Sequence, residues 1–310
     1  MQRTDQILNK INRSGIGLEL GPLSSPIVDK TQGNIFYVDH MSTADLRKKY
    51  ADEPVDLEKI VDVDYVLDSS LSKTFDDRKF DYVIASHVIE HIPDMVRWLD
   101  DITSILKPGG VLSLVIPDKR YTFDITRQVS RPADVIGAYV DRLLTTNSAT
   151  MYDFASEYRN EVYAGEIIAN PNEDPSFKER RYSEKEAYEM TKLNASGREY
   201  VDSHCLVFTP YSFFEILKKL VSHDLLKLEV VSFHDTKPGE IEFFVSLRKP
   251  TKKISANGIL DTIPSLGSPK SQAELQKNID QLEARIHNIL TSSSWRMTKP
   301  FRRIVALLSK

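Results

Sequence analysis

The stretch of residues 80–118 constrains the fold more than any other part of the sequence, because it alternates strand, loop, helix, glycine turn and strand. Residues 82–84 are an apolar run bounded by Asp81 and Ser86, short enough for a strand buried on both faces. Residues 111–116 form a second run of this kind. Since two strands joined through a helix pair in parallel, the stretch predicts one βαβ unit.

The helix of this unit has a predicted start and a predicted end. Asp94 is placed to cap it, because a carboxylate there can accept hydrogen bonds from the free N–H groups of the first turn. Lys-Pro-Gly-Gly at 107–110 is predicted to stop the helix. Between them, the apolar residues recur at helical spacing: Met95, Trp98, Leu99, Ile102, Ile105 and Leu106.

These blocks carry a family resemblance. FDYVIASHVIEHI, followed by LKPGG and VLSLVIP, resembles the fourth and fifth strands of class I S-adenosylmethionine-dependent methyltransferases, and PDKRYTFD is similar to a bacterial branch associated with surface polysaccharides. The resemblance covers roughly residues 15–249 and implies an α/β fold with a doubly wound, seven-stranded, mostly parallel sheet. It implies S-adenosylmethionine at the carboxyl ends of the strands. The residues alone predict only an α/β nucleotide-binding fold.

Composition narrows the class of protein. With 310 residues, 41% hydrophobic and 28% charged, we expect a soluble chain with one large domain and an appendage. The net charge of -4 gives no overall attraction to nucleic acid. Cys205 is the only cysteine, which excludes an intrachain disulfide and a thiolate zinc site. The N-terminus lacks an apolar signal region and no segment has the apolar length to cross a bilayer, so we expect a cytoplasmic protein or one at the inner membrane face.

The first two predicted strands, residues 16–20 and 34–38, each end in candidate cofactor residues. Glu19 and Gly21 match the family's acidic-x-Gly pattern, and the resemblance implies that this turn approaches the methionine end of the cofactor. Leu23 stands where the family usually has a further glycine. Asp39 follows the second strand, where a carboxylate can accept hydrogen bonds from both ribose hydroxyls.

Two further loops are expected to touch the cofactor. Residues 61–67 are the predicted third strand, and the resemblance implies that Asp68, with Ser69 beside it, meets the adenine amino group. It also implies that Ala85 and Ser86, after the fourth strand, run beneath the cofactor.

The run from His87 to His91 is expected to face the reaction centre. His91 is the first candidate for a general base and His87 the second, because an imidazole accepts a proton near neutral pH. Either histidine could instead pack the loop. The run also fits the His-x-x-Glu-His zinc site of inverted metallopeptidases. Such a site needs a helix that continues past both ligands, whereas Pro93 ends it, so no metal site is expected.

Candidate acceptor residues follow the fifth strand. Arg120 and Tyr121 are expected to hold polar groups of the substrate, with a folded corner in which Arg120 pairs with Asp124 as the alternative. Residues 127–204 interrupt the sheet, with one helix expected around 133–145 and another around 183–192, and we interpret them as an acceptor-binding cap. His204 closes the active site or packs in the core.

The remaining boundaries follow from pattern. We expect a short leading helix at 7–13, a methyltransferase domain over 1–250 that ends in the antiparallel strands 225–233 and 241–247, and a linker over 251–270. Residues 271–310 are predicted to be a helical, basic tail with a short heptad seam. Its end resembles tails on bacterial glycosyltransferases of surface-polysaccharide pathways, which implies contact with an anionic membrane or with such an enzyme.

The predicted function is S-adenosylmethionine-dependent methyl transfer to a hydroxyl of a sugar or glycan intermediate in cell-envelope polysaccharide synthesis. A non-catalytic scaffold in a glycan-assembly complex is the alternative, motivated by Leu23 and by the partner-like tail. A zinc hydrolase is the remote third hypothesis.

Overall fold

The computed structural model describes residues 2–67, 70–160, 162, 178–267 and 285. The chain divides into two units, Met1–Leu266 and Gly267–Lys310, and all elements named below lie in the first.

A seven-stranded sheet in the order β3-β2-β1-β4-β5-β7-β6 is the centre of this unit. Neighbouring strands from β3 to β5 pair in parallel, and β7 pairs antiparallel with both β5 and β6. The predicted doubly wound, mostly parallel sheet is therefore confirmed. The strands are β1 Ile16–Leu20, β2 Asn34–Asp39, β3 Tyr65–Val66, β4 Phe80–Ser86, β5 Leu106–Pro117, β6 Glu229–His234 and β7 Glu242–Arg248.

Helices flank the sheet. In the described residues they are α1 Arg3–Leu8, α2 Thr43–Lys49, α3 Leu71–Phe75, α4 Met95–Ile105, α5 Pro132–Asp141, α6 Ser148–Glu157, α7 Glu184–Ser196, α8 Pro210–Ser222 and α9 Ala256–Leu260. The predicted cap of α4 is present, since the Asp94 carboxylate accepts a hydrogen bond from the Arg97 N–H. Thr209 caps α8, and Pro210 takes its first turn.

The sheet brings several loops to one edge. Leu20 at the end of β1 pairs with Val38 of β2 and with Ala85 of β4, and Ser86 pairs with Val115 near the end of β5. Because these parallel strands end at the same level, the segments that follow them lie beside one another. The candidate residues after β1, β2, β4 and β5 therefore share one edge of the sheet.

Three predicted elements have different bounds. The leading helix lies at Arg3–Leu8, not at 7–13, and the third strand is only Tyr65–Val66, because only these residues pair with β2. Lys-Pro-Gly-Gly belongs to β5, where the register with β4 shifts between Phe80 and Tyr82. The positive φ of Gly109 (82°) allows this irregularity, and its N–H donates to the Lys249 carbonyl at 2.8 Å.

In its described residues, the inserted region holds a helix that the sequence analysis did not predict. Both predicted cap helices are present as α5 and α7, and α6 packs against α7 between them. Met151 and Ala155 of α6 and Ala187 of α7 are fully buried. This gives the insertion a small apolar core of its own.

The segment predicted as a linker over 251–270 is partly folded. Ser255 caps α9, and Ile259 and Ile263 are buried in the same core cluster as the sheet. The linker prediction therefore begins too early, because two isoleucines outweigh the polar composition around them. Within the described part of the chain, no helix is both long and apolar enough to span a bilayer. The predicted linker end and tail lie outside the described residues apart from helical Arg285.

Candidate functional site

The turn after β1 is shaped to leave room beside the sheet. Gly21 has a φ of 61°, and its N–H donates to the Val38 carbonyl at 2.8 Å. A Cβ added at Gly21 would have only Val88 Cγ2 nearby among the described atoms, at 3.7 Å. The backbone here faces open space, which fits the methionine end of the cofactor that the resemblance implies.

Leu23 adopts the left-handed backbone conformation that is typical of the glycine it replaces. Its φ is 45°, so a leucine occupies the left-handed conformation that glycine adopts easily. The Leu23 carbonyl accepts a hydrogen bond from the Val61 N–H at 2.9 Å. The departure from the family pattern therefore changes the residue and retains the turn.

The Glu19 carboxylate fixes the loop after β1 through hydrogen bonds with its backbone. The side chain is buried, and its carboxylate accepts hydrogen bonds from Ile27 N–H at 2.7 Å and Val28 N–H at 3.3 Å. Burial raises its pKa to about 7 although both hydrogen bonds lower it. In the described structure Glu19 acts on the loop, and direct contact with the cofactor stays a prediction.

Asp39 lies at the carboxyl end of β2, as predicted. It is largely buried, and its Oδ1 accepts from the His40 N–H at 2.7 Å. An acceptor at this position suits a ribose hydroxyl. Asp68 and Ser69, predicted to meet the adenine, lie outside the described residues.

Ala85 and Ser86 end β4 beside this turn. Ala85 is buried opposite Leu20, and Ser86 Oγ accepts a hydrogen bond from Arg3 at 3.1 Å. The helix α1 thus reaches the site through Arg3, which no sequence pattern indicated.

His87 follows in a strained conformation. Its φ is 53°, which is costly for a residue with a side chain, and its N–H donates to Val115 O at 3.0 Å. Nε2 lies 2.6 Å from Oε2 of Glu242, which also pairs with Arg3. Burial raises the pKa of Glu242, but the hydrogen bonds from His87 and Arg3 outweigh it and lower the pKa.

Glu90 is buried in the centre of the site. Its side chain is fully buried, and neither carboxylate oxygen has a hydrogen-bond partner among the described residues. Oε1 lies 3.6 Å from Nδ1 of His87 and 3.9 Å from Nε2 of His91. Burying a carboxylate that accepts no hydrogen bond is energetically costly, so Glu90 stands out as a candidate functional residue.

The imidazole of His91 lies beside a different carboxylate, that of Asp202. Nδ1 lies 2.9 Å from Oδ1 of Asp202, in the segment that precedes α8. Burial lowers the pKa of His91, but Asp202 and Glu90 outweigh it and the pKa is raised. His91 also meets the ring of His204 edge to face, with the centroids 4.8 Å apart.

The imidazole of His204 also lies beside a carboxylate, that of Asp124. It is buried, and its Nδ1 lies 2.6 Å from Oδ2 of Asp124. Asp124 pairs in turn with buried Arg127 at 2.8 Å. Burial raises the pKa of Asp124, but His204 and Arg127 outweigh it and lower the pKa. The structure thus brings His87, His91 and His204 together, and their roles in catalysis and acceptor binding stay predictions.

The histidines line a cavity of about 590 Å³. Tyr121 and Phe123, from the segment after β5, line the same cavity. The inserted region contributes Tyr158, Arg159 and Arg181 to its lining. Phe123 and Tyr158 stack at a centroid distance of 4.1 Å.

Arg120 has a different role from the predicted one. Its guanidinium binds both oxygens of Asp118, which is fully buried, and lies 3.5 Å from Asp235. The alternative pairing with Asp124 is wrong, because Asp124 pairs with Arg127. Arg120 is not among the described residues that line the cavity, whereas its neighbour Tyr121 is.

The family comparison is consistent with this arrangement. Residues 2–162 match a family model described as a methyltransferase domain, which is just over half of the chain. Phosphoethanolamine N-methyltransferase 2 of Caenorhabditis elegans is 38% identical over 64 residues, which are 21% of this chain and 15% of that protein.

Two solved structures are also similar. One is a SAM-dependent methyltransferase from Methanosarcina mazei, with 18% identity, a TM-score of 0.38, and coverage of 79% of this chain and 97% of that chain. The other is the N-methyltransferase NodS from Bradyrhizobium japonicum in complex with S-adenosyl-L-homocysteine, with 10% identity, a TM-score of 0.35, and coverage of 79% and 83%.

Proposed function

Since the chain belongs to the S-adenosylmethionine-dependent methyltransferases of class I, we propose that it methylates a hydroxyl of a sugar or glycan intermediate in cell-envelope polysaccharide synthesis. The observation that carries the proposal is the cavity of about 590 Å³ between the site histidines and the inserted region. Its volume lies in the range typical of small-molecule sites, about 300 to 1,000 Å³.

The cofactor supplies an electrophilic methyl group when it is bound. Asp39 holds its ribose, and the turn at Gly21 leaves space for its methionine end, with Glu19 fixing the loop that carries this turn. Ala85 and Ser86 lie beside that turn at the end of β4. The protein must then align the acceptor oxygen and remove its proton.

His91 takes this proton. Its Nδ1 faces Asp202, which leaves Nε2 directed towards Glu90 in the cavity wall. A carboxylate behind an imidazole fixes the ring and stabilises its protonated form. His87 is the second candidate, with its Nε2 bound to Glu242.

The acceptor is polar and carries an anionic group. Arg159 and Arg181 bring positive charge to the cavity, beside Glu179. Arg159 pairs with Glu157 through one nitrogen, and its Nε and Nη1 have no hydrogen-bond partner among the described residues, so they can serve a phosphate or carboxylate. The stacked rings of Phe123 and Tyr158 offer an apolar surface in the same cavity. Tyr121 and His204 complete the acceptor site. A charged sugar, such as a nucleotide sugar or a uronic acid, satisfies these features.

Methyl-labelled S-adenosylmethionine and a panel of acceptors test the proposal. The panel contains nucleotide sugars, uronic acids, neutral sugars and phosphoethanolamine, and mass spectrometry locates the transferred methyl group. We expect transfer to an oxygen of a charged sugar. Transfer to phosphoethanolamine would make the acceptor an amine, as the name of the C. elegans relative suggests.

Two variants separate binding from chemistry. Asp39→Ala should weaken cofactor binding by about 1.5 to 3 kcal/mol in calorimetry, the usual value of a hydrogen bond to a charged group. His91→Asn should leave cofactor affinity unchanged and lower turnover by roughly 100-fold. Asp62→Ala, at an exposed carboxylate before β3, is the control for the loss of an acidic residue. Normal turnover of His91→Asn would remove His91 from the mechanism.

We also propose that residues 271–310 attach the enzyme to the inner face of the membrane or to a glycosyltransferase. The last sixteen residues hold five lysines and arginines, one tryptophan and no acid. Each basic residue near anionic headgroups contributes roughly 1 kcal/mol.

A further inference from the structure

We propose that Glu90, His91 and His204 bind one divalent transition-metal cation. One ligand atom of each residue lies within 4.8 Å of the others. Atoms bound to a single ion at about 2 Å lie up to about 4 Å apart, so small side-chain rotations close the three groups on the ion.

Glu90 provides the first argument. Its side chain is fully buried, and both oxygens lack a hydrogen bond from any described residue. Buried charges in proteins are paired with another charge or coordinate a metal. The nearest imidazole nitrogens, those of His87 at 3.6 Å and His91 at 3.9 Å, are too far away for hydrogen bonds. A cation between Glu90, His91 and His204 would satisfy the carboxylate.

The second argument comes from the carboxylates that face Nδ1 of His91 and of His204. Asp202 lies at Nδ1 of His91 and Asp124 at Nδ1 of His204, so in both rings Nε2 is the nitrogen that remains for a ligand. Histidines that bind metals usually donate their other N–H to a carboxylate, which fixes the ring and its tautomer. His204 shows this hydrogen bond, with Nδ1 2.6 Å from Asp124, whereas Asp202 lies 2.9 Å from Nδ1 of His91 as an ion-pair contact in which this nitrogen makes no hydrogen bond to any described residue.

The ligand set indicates the kind of ion. Two imidazoles and one carboxylate suit Zn²⁺, Mn²⁺ or Fe²⁺, whereas Mg²⁺ and Ca²⁺ prefer oxygen ligands throughout. The site differs from the His-x-x-Glu-His site of metallopeptidases, because Ile89–His91 is a single helical turn and the third ligand comes from His204. The early helix end thus excludes the peptidase geometry without excluding a metal.

The ion would have a place in the reaction, and this step rests on the proposed function. Three protein ligands leave a position open for the acceptor hydroxyl on the cavity side. A hydroxyl oxygen bound to a cation releases its proton more easily. With the ion bound, Nε2 of His91 would be a ligand, so His87, the second candidate base above, would receive the proton in place of His91.

Calorimetric titration of the full-length protein with ZnCl₂ and with MnCl₂, after chelation and without cofactor or acceptor, tests the site. We expect one ion per chain. Glu90→Gln and His204→Gln should each weaken binding at least 100-fold. Asp124→Asn, which removes only the carboxylate behind His204, should weaken it by about 10- to 100-fold. His223→Ala, at an exposed histidine outside the site, is the matched control and should bind normally.

Thermal unfolding verifies that each variant is folded, and His91→Gln replaces His204→Gln if the latter is not. Absence of saturable binding to the wild type, or equal binding by Glu90→Gln, would overturn the site. A protein that binds the ion but methylates no acceptor would leave the site standing and overturn the proposed function. Full methyl transfer in excess chelator, with no metal retained, would overturn the role of the ion in the reaction, and the calorimetric result would then decide the site by itself.

Discussion

At the residue scale, Gly17 shows how tightly the centre of the sheet is packed. A Cβ at this position would lie 2.1 Å from the ring of Tyr82, which is itself fully buried on the neighbouring strand. Since a buried ring has no space to move into, Gly17→Ala should lower the free energy of unfolding by about 1 to 3 kcal/mol, the usual cost of overpacking. Urea denaturation measures it. Gly137→Ala is the control, because nothing lies within 4 Å of its added Cβ, and it should not destabilise.

Glu19 makes a prediction about pH. Its pKa is raised from 4.5 to about 7 by burial, so the folded protein binds this proton more tightly than the unfolded chain does. The free energy of unfolding should therefore fall as pH rises from about 4.5 to about 7, by roughly 3 kcal/mol for this group alone. Glu19→Gln should flatten the dependence and be relatively more stable at pH 8 than at pH 5. Urea midpoints at both values measure it, with Glu58→Gln at an exposed site as control.

The candidate site shows which residues the sequence could predict. His87, His91 and His204 could be predicted, because they lie next to predicted strand ends or match family positions. Their partners Asp124, Asp202 and Glu242 were not, because each comes from a distant segment and carries no local pattern. Burial of Glu90 is likewise a property of the packed fold.

At the element scale, the βαβ unit from β4 to β5 was predictable because its signals are local: a buried run, a capping Asp94 and a glycine turn. The helix α6 was missed, since its apolar face has meaning only against α7. The same reason explains α9, whose polar neighbours resemble a linker.

The helix α9 can be tested directly. Ile259 is buried in the main core cluster, and α9 packs against α8. Ile259→Ala should therefore lower the free energy of unfolding by about 2 to 5 kcal/mol, as for other large-to-small core changes. Ile254, which is only partly buried, gives the matched control, and Ile254→Ala should cost less. Equal, small effects would restore the interpretation of residues 251–266 as a linker.

At the scale of the whole molecule, the fold brings the candidate site residues together, because the segments after β1, β2 and β4 share one edge of the sheet. The strand ends provide Gly21, Asp39 and His87, and the inserted region adds Tyr158 and the charged wall of the cavity. On the proposed function, cofactor binding and proton removal belong to the strand ends, and selection of the acceptor belongs to the insertion. The sequence predicted this division, because strand patterns are local, but the acceptor depends on the cavity's shape.

The proposed role of the tail in attachment can be tested by truncation. Truncation after Lys270 removes the basic segment and retains all of the unit Met1–Leu266, so methyl transfer to a soluble acceptor and the unfolding temperature should be unchanged. Release from vesicles containing anionic lipid should be complete at moderate salt if the tail lies on the membrane, whereas neutral vesicles should bind neither form. A full-length variant in which Arg296, Arg302 and Arg303 become Gln separates charge from length, and should bind anionic vesicles about 100-fold more weakly or worse, from roughly 1 kcal/mol per residue. Retention by the truncated chain would place the contact in the catalytic unit, and loss of binding only in the truncated chain, with the Gln variant unaffected, would favour an apolar protein partner over the membrane.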